Sequence, residues 1–184
     1  MSSYAQTQRT TPSRYPERAT YDREVAHQLL DEAYVCDLGF VVDGAPRVLP
    51  TLFVRVDDTV YLHGSTAARW PLTARRDGMP VCVTVTALDG LVLARSQFNH
   101  SANYRSLVAH GTATLVTDPV TKLAAMTALV EKIGPGRSQD SRPPTTAELA
   151  KTAVLALPLD EVSVKRRNKG AGDDPEDLAL PYWA

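Results

Sequence analysis

The chain has 184 residues, with 20 Lys and Arg against 21 Asp and Glu and a net charge of −1. That length supports one domain with a full core and is short for two. The charge balance excludes an overall field drawing the protein to nucleic acid or an anionic membrane, so any anion site must be local. With no apolar run suited to a signal peptide or a membrane span, the chain reads as a cytoplasmic protein.

Residues 1–18 are polar and low in aliphatics, the composition of a disordered N-terminal arm. Residues 19–184 are expected to form a single domain, with a tail from about residue 166. From Thr20, acidic residues in a first turn and Val25, Leu29 and Leu30 at helical spacing predict a short helix ending near Ala33. The period then becomes two: Tyr34 to Val42, the turn Asp43-Gly44, Arg47 to Val56, Asp57-Asp58, then Val60 to Leu62, three successive antiparallel strands.

Arg69 to Arg76 predicts one or two helical turns, and Pro80 to Thr86 a strand. Asp89-Gly90 is expected to turn the chain into Leu91 to Arg95. Phe98 to Ser106 reads as irregular, and Leu107 to Val116 as a strand with a bulge at His110-Gly111. Asp118 and Pro119 open a helix with Leu123, Met126 and Val130 on one face, which Gly134 stops. A short helix near 146–151 precedes one last strand, broken at Pro158. Hairpins too short for crossovers make this an α+β chain built on a six- to seven-stranded antiparallel barrel with a few peripheral helices. Cys36 and Cys82 are isolated, form no metal spacing, and read as core thiols.

Three segments stand out chemically. Pro50, within Arg47-Val48-Leu49-Pro50-Thr51, lacks a ladder donor, which implies a strand side without a neighbour there, or a bulge. Such an edge can face a ligand or simply face water, with Arg47 solvated. Between Tyr61 and Trp70, the turn His63-Gly64-Ser65-Thr66-Ala67-Ala68-Arg69 offers hydroxyls and backbone N–H groups at a helix start, with Arg69 as a planar cation: an anion cradle, or a capped connection. Asn103-Tyr104-Arg105-Ser106 is dense in donors, as a binding segment or a self-capping loop.

In this order the three segments, with Gly111 and the closing Trp183-Ala184, resemble the pyridoxamine 5′-phosphate oxidase-like superfamily of FMN-binding split barrels, most closely its nitroimidazole-resistance-type branch. The resemblance implies an antiparallel split barrel and an FMN cofactor at a homodimer interface. It lays Val48, Leu49, Pro50 and Thr51 along the isoalloxazine and assigns phosphate charge to Arg47 and Arg69. His63, Gly64, Ser65, Ala68, Trp70, Asn103 and Tyr104 surround the cofactor, Arg105 and Ser106 approach from the partner subunit, and Trp183 closes over the site. Trp70 stands where relatives commonly carry a second cation.

The function this implies is an FMN-dependent oxidoreductase that reduces a small electron-poor acceptor, such as a nitroaromatic, with His63 orienting the acceptor or relaying a proton. A true pyridoxamine phosphate oxidase is not expected, since the C-terminal arginine and histidine cluster of those enzymes is not identifiable. The alternative is a flavin, haem or deazaflavin binding protein without turnover, with His63, His100 or His110 as axial ligands. A nucleic-acid-binding barrel is disfavoured by the neutral charge and by an aromatic content of 7%.

Overall fold

The computed structural model describes residues 2–68, 70–74 and 77–183. In chain order it contains β1 (Ala19–Thr20), α1 (Arg23–Glu32), β2 (Val35–Val42), β3 (Ala45–Val56), β4 (Thr59–Ser65) and β5 (Met79–Val92). There follow β6 (Ser101–Leu115), α2 (Pro119–Ile133), α3 (Arg137–Asp140), α4 (Thr146–Lys151), β7 (Thr152–Pro158) and β8 (Glu161–Arg167). All eight strands join one antiparallel sheet in the order β1-β8-β6-β5-β2-β3-β4-β7, and a further β6–β7 pairing closes six of them into a ring. The split barrel expected from the sequence is the fold observed.

Local chemistry explains the first half. Asp43 and Gly44 both have positive φ (52° and 75°), the pair of left-handed residues a two-residue hairpin needs, so β2 and β3 pair from Val42↔Ala45 to Val35↔Leu52. Asp22 caps α1, its carboxylate accepting from the N–H groups of Glu24 and Val25. Inward residues Leu38, Phe53, Val60, Leu62, Val83 and Leu107 fill the barrel, and Leu29 and Leu30 of α1 join the same core.

The second half departs from the pattern. No hairpin forms at Asp89-Gly90; β5 runs on, and the extra residue is absorbed as a bulge between Leu88 and Gly90. Residues 101–106, expected to be irregular, form the start of β6, because they pair with β5 beyond the barrel, where neither face demands apolar residues. The bulge expected at His110-Gly111 is absent, and pairing is continuous there. Gly111 serves close packing instead: a Cβ on it would stand 2.7 Å from Leu157 Cδ1. The single last strand is two, β7 and β8, with buried Leu159 at the corner donating its N–H to the Asp58 carbonyl (2.8 Å). On α2 the buried residues are Ala125 and Leu129, while Leu123 is exposed.

The N-terminal segment, read from composition as an unstructured arm, lies against the barrel. Tyr4 is buried in the core cluster, its hydroxyl within hydrogen-bond distance of His27 Nε2 (3.1 Å) and Asp58 Oδ1 (3.3 Å), and Arg23 covers its ring. Arg9 pairs with Glu161. One aromatic anchor, the Arg9–Glu161 ion pair and the Lys165 ammonium donating to the Arg14 carbonyl hold a segment whose aliphatic content is low. Among the described residues no helix is long and apolar enough to cross a membrane.

Lys132 of α2 places its ammonium 3.9 Å from the centroid of the Phe53 ring and donates to the Leu30 carbonyl at 2.8 Å. Burial pulls its pKa down from 10.5 to about 8. Below that value the charged amine is held in the fold at a cost. Above it, the unfolded chain keeps a proton that the folded chain has released, so stability rises with pH until the unfolded lysine titrates as well. Tyr4, raised to about 12 by burial, has the opposite effect and only above its ordinary value of 10. The urea midpoint is therefore expected to rise between about pH 7.5 and about pH 8.5, above which the buried Cys36 thiol, pushed up from 9.0 to about 12, begins to oppose it, and Lys132→Met is expected to flatten that rise. An equal rise in the variant would assign it to other groups.

Candidate functional site: the split between β3 and β4

The β3–β4 ladder runs from Val56↔Thr59 to Phe53↔Leu62 and stops. Beyond it β4 continues against β7, through His63↔Val154, Gly64↔Ala153 and Ser65↔Thr152. Residues 45–52 of β3 pair with β2 on one side and, among the described residues, with no strand on the other. Pro50 lies in that stretch, where an edge makes its missing donor harmless. Arg47, Leu49 and Thr51 share the face of Phe53, while Val48 and Pro50 share that of Val54. Val48 is 70% exposed, and Arg47 is exposed without an ion pair among the described residues.

The turn after β4 is less open to an anion than its sequence implies. Thr66 donates N–H and hydroxyl to the Lys151 carbonyl (3.0 and 3.1 Å), Ala67 N–H goes to Ser65 Oγ, and Ala68 N–H to the Ser65 carbonyl. The element that follows, Trp70–Ala74, is a 3₁₀ turn too short for a substantial macrodipole. Arg69 lies outside the described residues. Trp70 packs on Phe40, ring centroids 5.6 Å apart, and covers Gly64 so closely that a Cβ there would stand 2.7 Å from its Cζ2. The glycine and the tryptophan are thus explained by each other.

His63 sits on the outer face of β4 with Tyr61, across from Val54 and Val154 and beneath Ala125, Met126 and Leu129 of α2, at a void of about 10 Å³. Its Nδ1 is buried and has no hydrogen-bond partner. An imidazole nitrogen in this position has lost water without gaining a protein partner.

The third segment lies elsewhere. In the sheet, β5 and β2 stand between β6 and β3, so one chain does not bring residues 103–106 to the open edge. Asn103 Oδ1 accepts from Arg167 Nη1 (2.6 Å) and Lys169 N–H (3.0 Å), tying down the end of β8. Arg105 is bound by both oxygens of Asp89 and by Glu32 (2.5 Å), which hold its proton more firmly, and in return its hydrogen bond lowers the pKa of Glu32. Ser106 donates its hydroxyl to the Lys165 carbonyl, and Tyr104 is half-buried. Trp183, 76% exposed, borders a separate cleft of about 770 Å³ with Leu93, Arg95, His100 and Tyr182.

A family model described as pyridoxamine 5′-phosphate oxidase matches residues 22–166, most of the chain. The chain belongs to this family. Within the pyridoxamine 5′-phosphate oxidase family, solved structures resemble it closely. The flavocytochrome Anf3 from Azotobacter vinelandii is 38% identical, with a TM-score of 0.89 over 96% of this chain and 82% of that one. An FAD and haem binding protein from Mycobacterium smegmatis is also 38% identical, with a TM-score of 0.85 over 90% of this chain and 81% of that one. A 5-nitroimidazole antibiotic resistance protein homologue from Bacteroides thetaiotaomicron, 21% identical with a TM-score of 0.66 over 80% and 85%, shares the fold. No curated protein sequence matches it.

Sequence reasoning found the open edge through Pro50 and missed two features of this family member. Asp173 receives the backbone N–H and a guanidinium N–H of Arg95 (both 2.8 Å) and latches the tail to the loop after β5. Arg18, Arg166 and Lys169 meet in a second cleft. Both joinings link residues more than 70 positions apart; the basic run Lys165-Arg166-Arg167 is visible in the sequence, but its meeting with Arg18 is not.

Proposed function

We propose that the protein binds a flavin along the open edge of β3 and works as a redox protein, with a second copy of the chain completing the site. The observation that carries this reading is the unpaired stretch 45–52, which leaves backbone donors and acceptors free beside exposed Arg47 and Val48. A flavin needs those groups: edge hydrogen bonds for its ring, apolar cover for a face, and a cation for its phosphate. The residues present fit it. Bound, the flavin supplies hydride or single-electron transfer. With Nδ1 shut beneath α2, His63 has only Nε2 left for a proton or an acceptor.

FMN is what the sequence resemblance implies, while the Mycobacterium smegmatis relative at 38% identity supports a dinucleotide flavin accompanied by haem, and the flavocytochrome at the same identity supports a flavin beside a haem. Electron transfer involving both cofactors is therefore the reading we favour over nitroaromatic reduction, behind which stands a likeness of fold. For a haem, His100 opens into the cleft bordered by Leu93, Pro181, Tyr182 and Trp183. Its Nδ1 accepts the Ala94 N–H at 2.9 Å, so the neutral ring carries its proton on Nε2, and ligation through Nε2 requires giving up that bond.

The absorption spectrum of the purified protein, with extraction and mass determination of the cofactor, is the test. Flavin bands are expected, a Soret band marks haem, and the extracted mass separates FAD from FMN. Arg47→Ala is expected to weaken flavin binding by about 1.5–3 kcal/mol, roughly ten- to a hundredfold. A colourless protein that takes up neither FMN nor FAD on titration ends this reading.

A further inference from the structure

Past the barrel's last core layer, β6 and β8 run on together. Inside, their shared face carries buried Leu107 and Ala109 opposite Val164 and Val162. One alternation further out the same face carries Arg105 and Arg166, which are direct partners across the ladder. Like charges in that position repel. Arg105 is neutralised by Asp89 and Glu32. The Arg166 side chain is exposed and, among the described residues, makes no hydrogen bond or ion pair. Arg167 curls the next residues back, donating to the carbonyls of Lys169 and Gly170 (2.9 and 3.1 Å), and Lys169 is left exposed.

The N-terminal segment supplies the facing wall. Arg18 lies 3.9 Å over the Tyr15 ring, with its Nε buried and without a hydrogen-bond partner, and its nearest carboxylate, Glu17, stands 3.9 Å away. Glu17, Arg18, Arg105, Arg166, Arg167 and Lys169 line a cleft of about 750 Å³. In a chain of net charge −1, this concentration of cations is local. Asp89 is committed to Arg105, which leaves Arg18, Arg166 and Lys169 facing the single loosely held acid Glu17. A bounded concave site with converging, uncommitted guanidinium and ammonium groups suits multiply charged oxyanions on a small molecule better than a long polyanion.

We propose that this cleft binds the phosphate groups of a nucleotide. They come either from the adenylate half of a dinucleotide flavin, a form that rests on the flavin reading above, or from a separate nucleotide.

The protein as purified is compared with the Arg166→Glu/Lys169→Glu variant, whose two sites are exposed and whose thermal midpoint serves as the folding check. Calorimetric titration uses ADP and inorganic pyrophosphate at low and high salt, alongside the identity and content of co-purified flavin. For a separate nucleotide, the variant binds ADP at least about tenfold more weakly, wild-type binding weakens with salt, and flavin content is the same in both. For a dinucleotide flavin, the variant retains less FAD, and added FMN restores its flavin spectrum. Equal FAD content together with equal ADP and pyrophosphate affinity, or binding of neither by either protein, overturns the proposal. A protein that takes up no flavin but loses ADP binding in the variant removes the flavin reading and leaves this one standing.

Discussion

Phe53→Ala is expected to lower the free energy of unfolding by about 3–5 kcal/mol, the cost of emptying a fully buried aromatic site that the surroundings cannot refill. Phe53 is buried in the core cluster and is the last residue of β3 still paired with β4 before the strands part. Its ring also carries the Lys132 ammonium, which the variant leaves over a void. The loss is measured as a shift in urea midpoint at unchanged m, and Phe53→Leu, which keeps most of the volume, should lose much less. Hydrogen exchange adds a local readout: the Leu62 amide, across the ladder, should lose protection together with the whole core. If Phe53→Ala costs under about 1 kcal/mol, the apex of the split is not a packed point of the barrel.

Gly78→Ala is the second large effect, expected at about 2–4 kcal/mol. Gly78 enters β5 with φ +77°, where a Cβ costs about 1–2 kcal/mol by itself. The added methyl also meets Thr112 Cγ2 and stands 3.2 Å from the Ala113 carbonyl oxygen, and overpacking of this kind adds about 1–3 kcal/mol. Thr112→Ser removes the methyl contact and leaves both the backbone contact and the strained φ. In a double-mutant cycle it should recover part of the loss, not all of it. Full recovery would locate the whole penalty in one side-chain clash.

Both predictions concern places where pattern and structure agree unevenly. The β2-β3-β4 meander was legible because its turns carry residues suited to positive φ and its strands alternate cleanly inside the barrel. β5 and β6 were legible only along the stretch that faces the core. Where they project beyond it, Asp89-Gly90 reads as a turn and Ser101 to Ser106 as a loop, because the second strand that makes them a ladder is remote in sequence. In the candidate site, Pro50 disclosed the open edge by what it lacks. The turn at 63–68 disclosed donors but not their destinations: the Lys151 carbonyl that occupies Thr66 is 85 residues away. Trp70 was read as a substitute for a cation, whereas its ring has a packing role against Phe40 and Gly64.

The pairing of β1 with β8, Ala19 to Lys165, sets an order of assembly during synthesis. A ribosome delivers β1 well before its partner strand β8, so β1 and the residues beside it wait, unpaired, while the strands between them are made. The wall that holds Arg18 and the one that holds Arg166 therefore meet only once β8 has been made. Until then the cations of the two sides are kept apart.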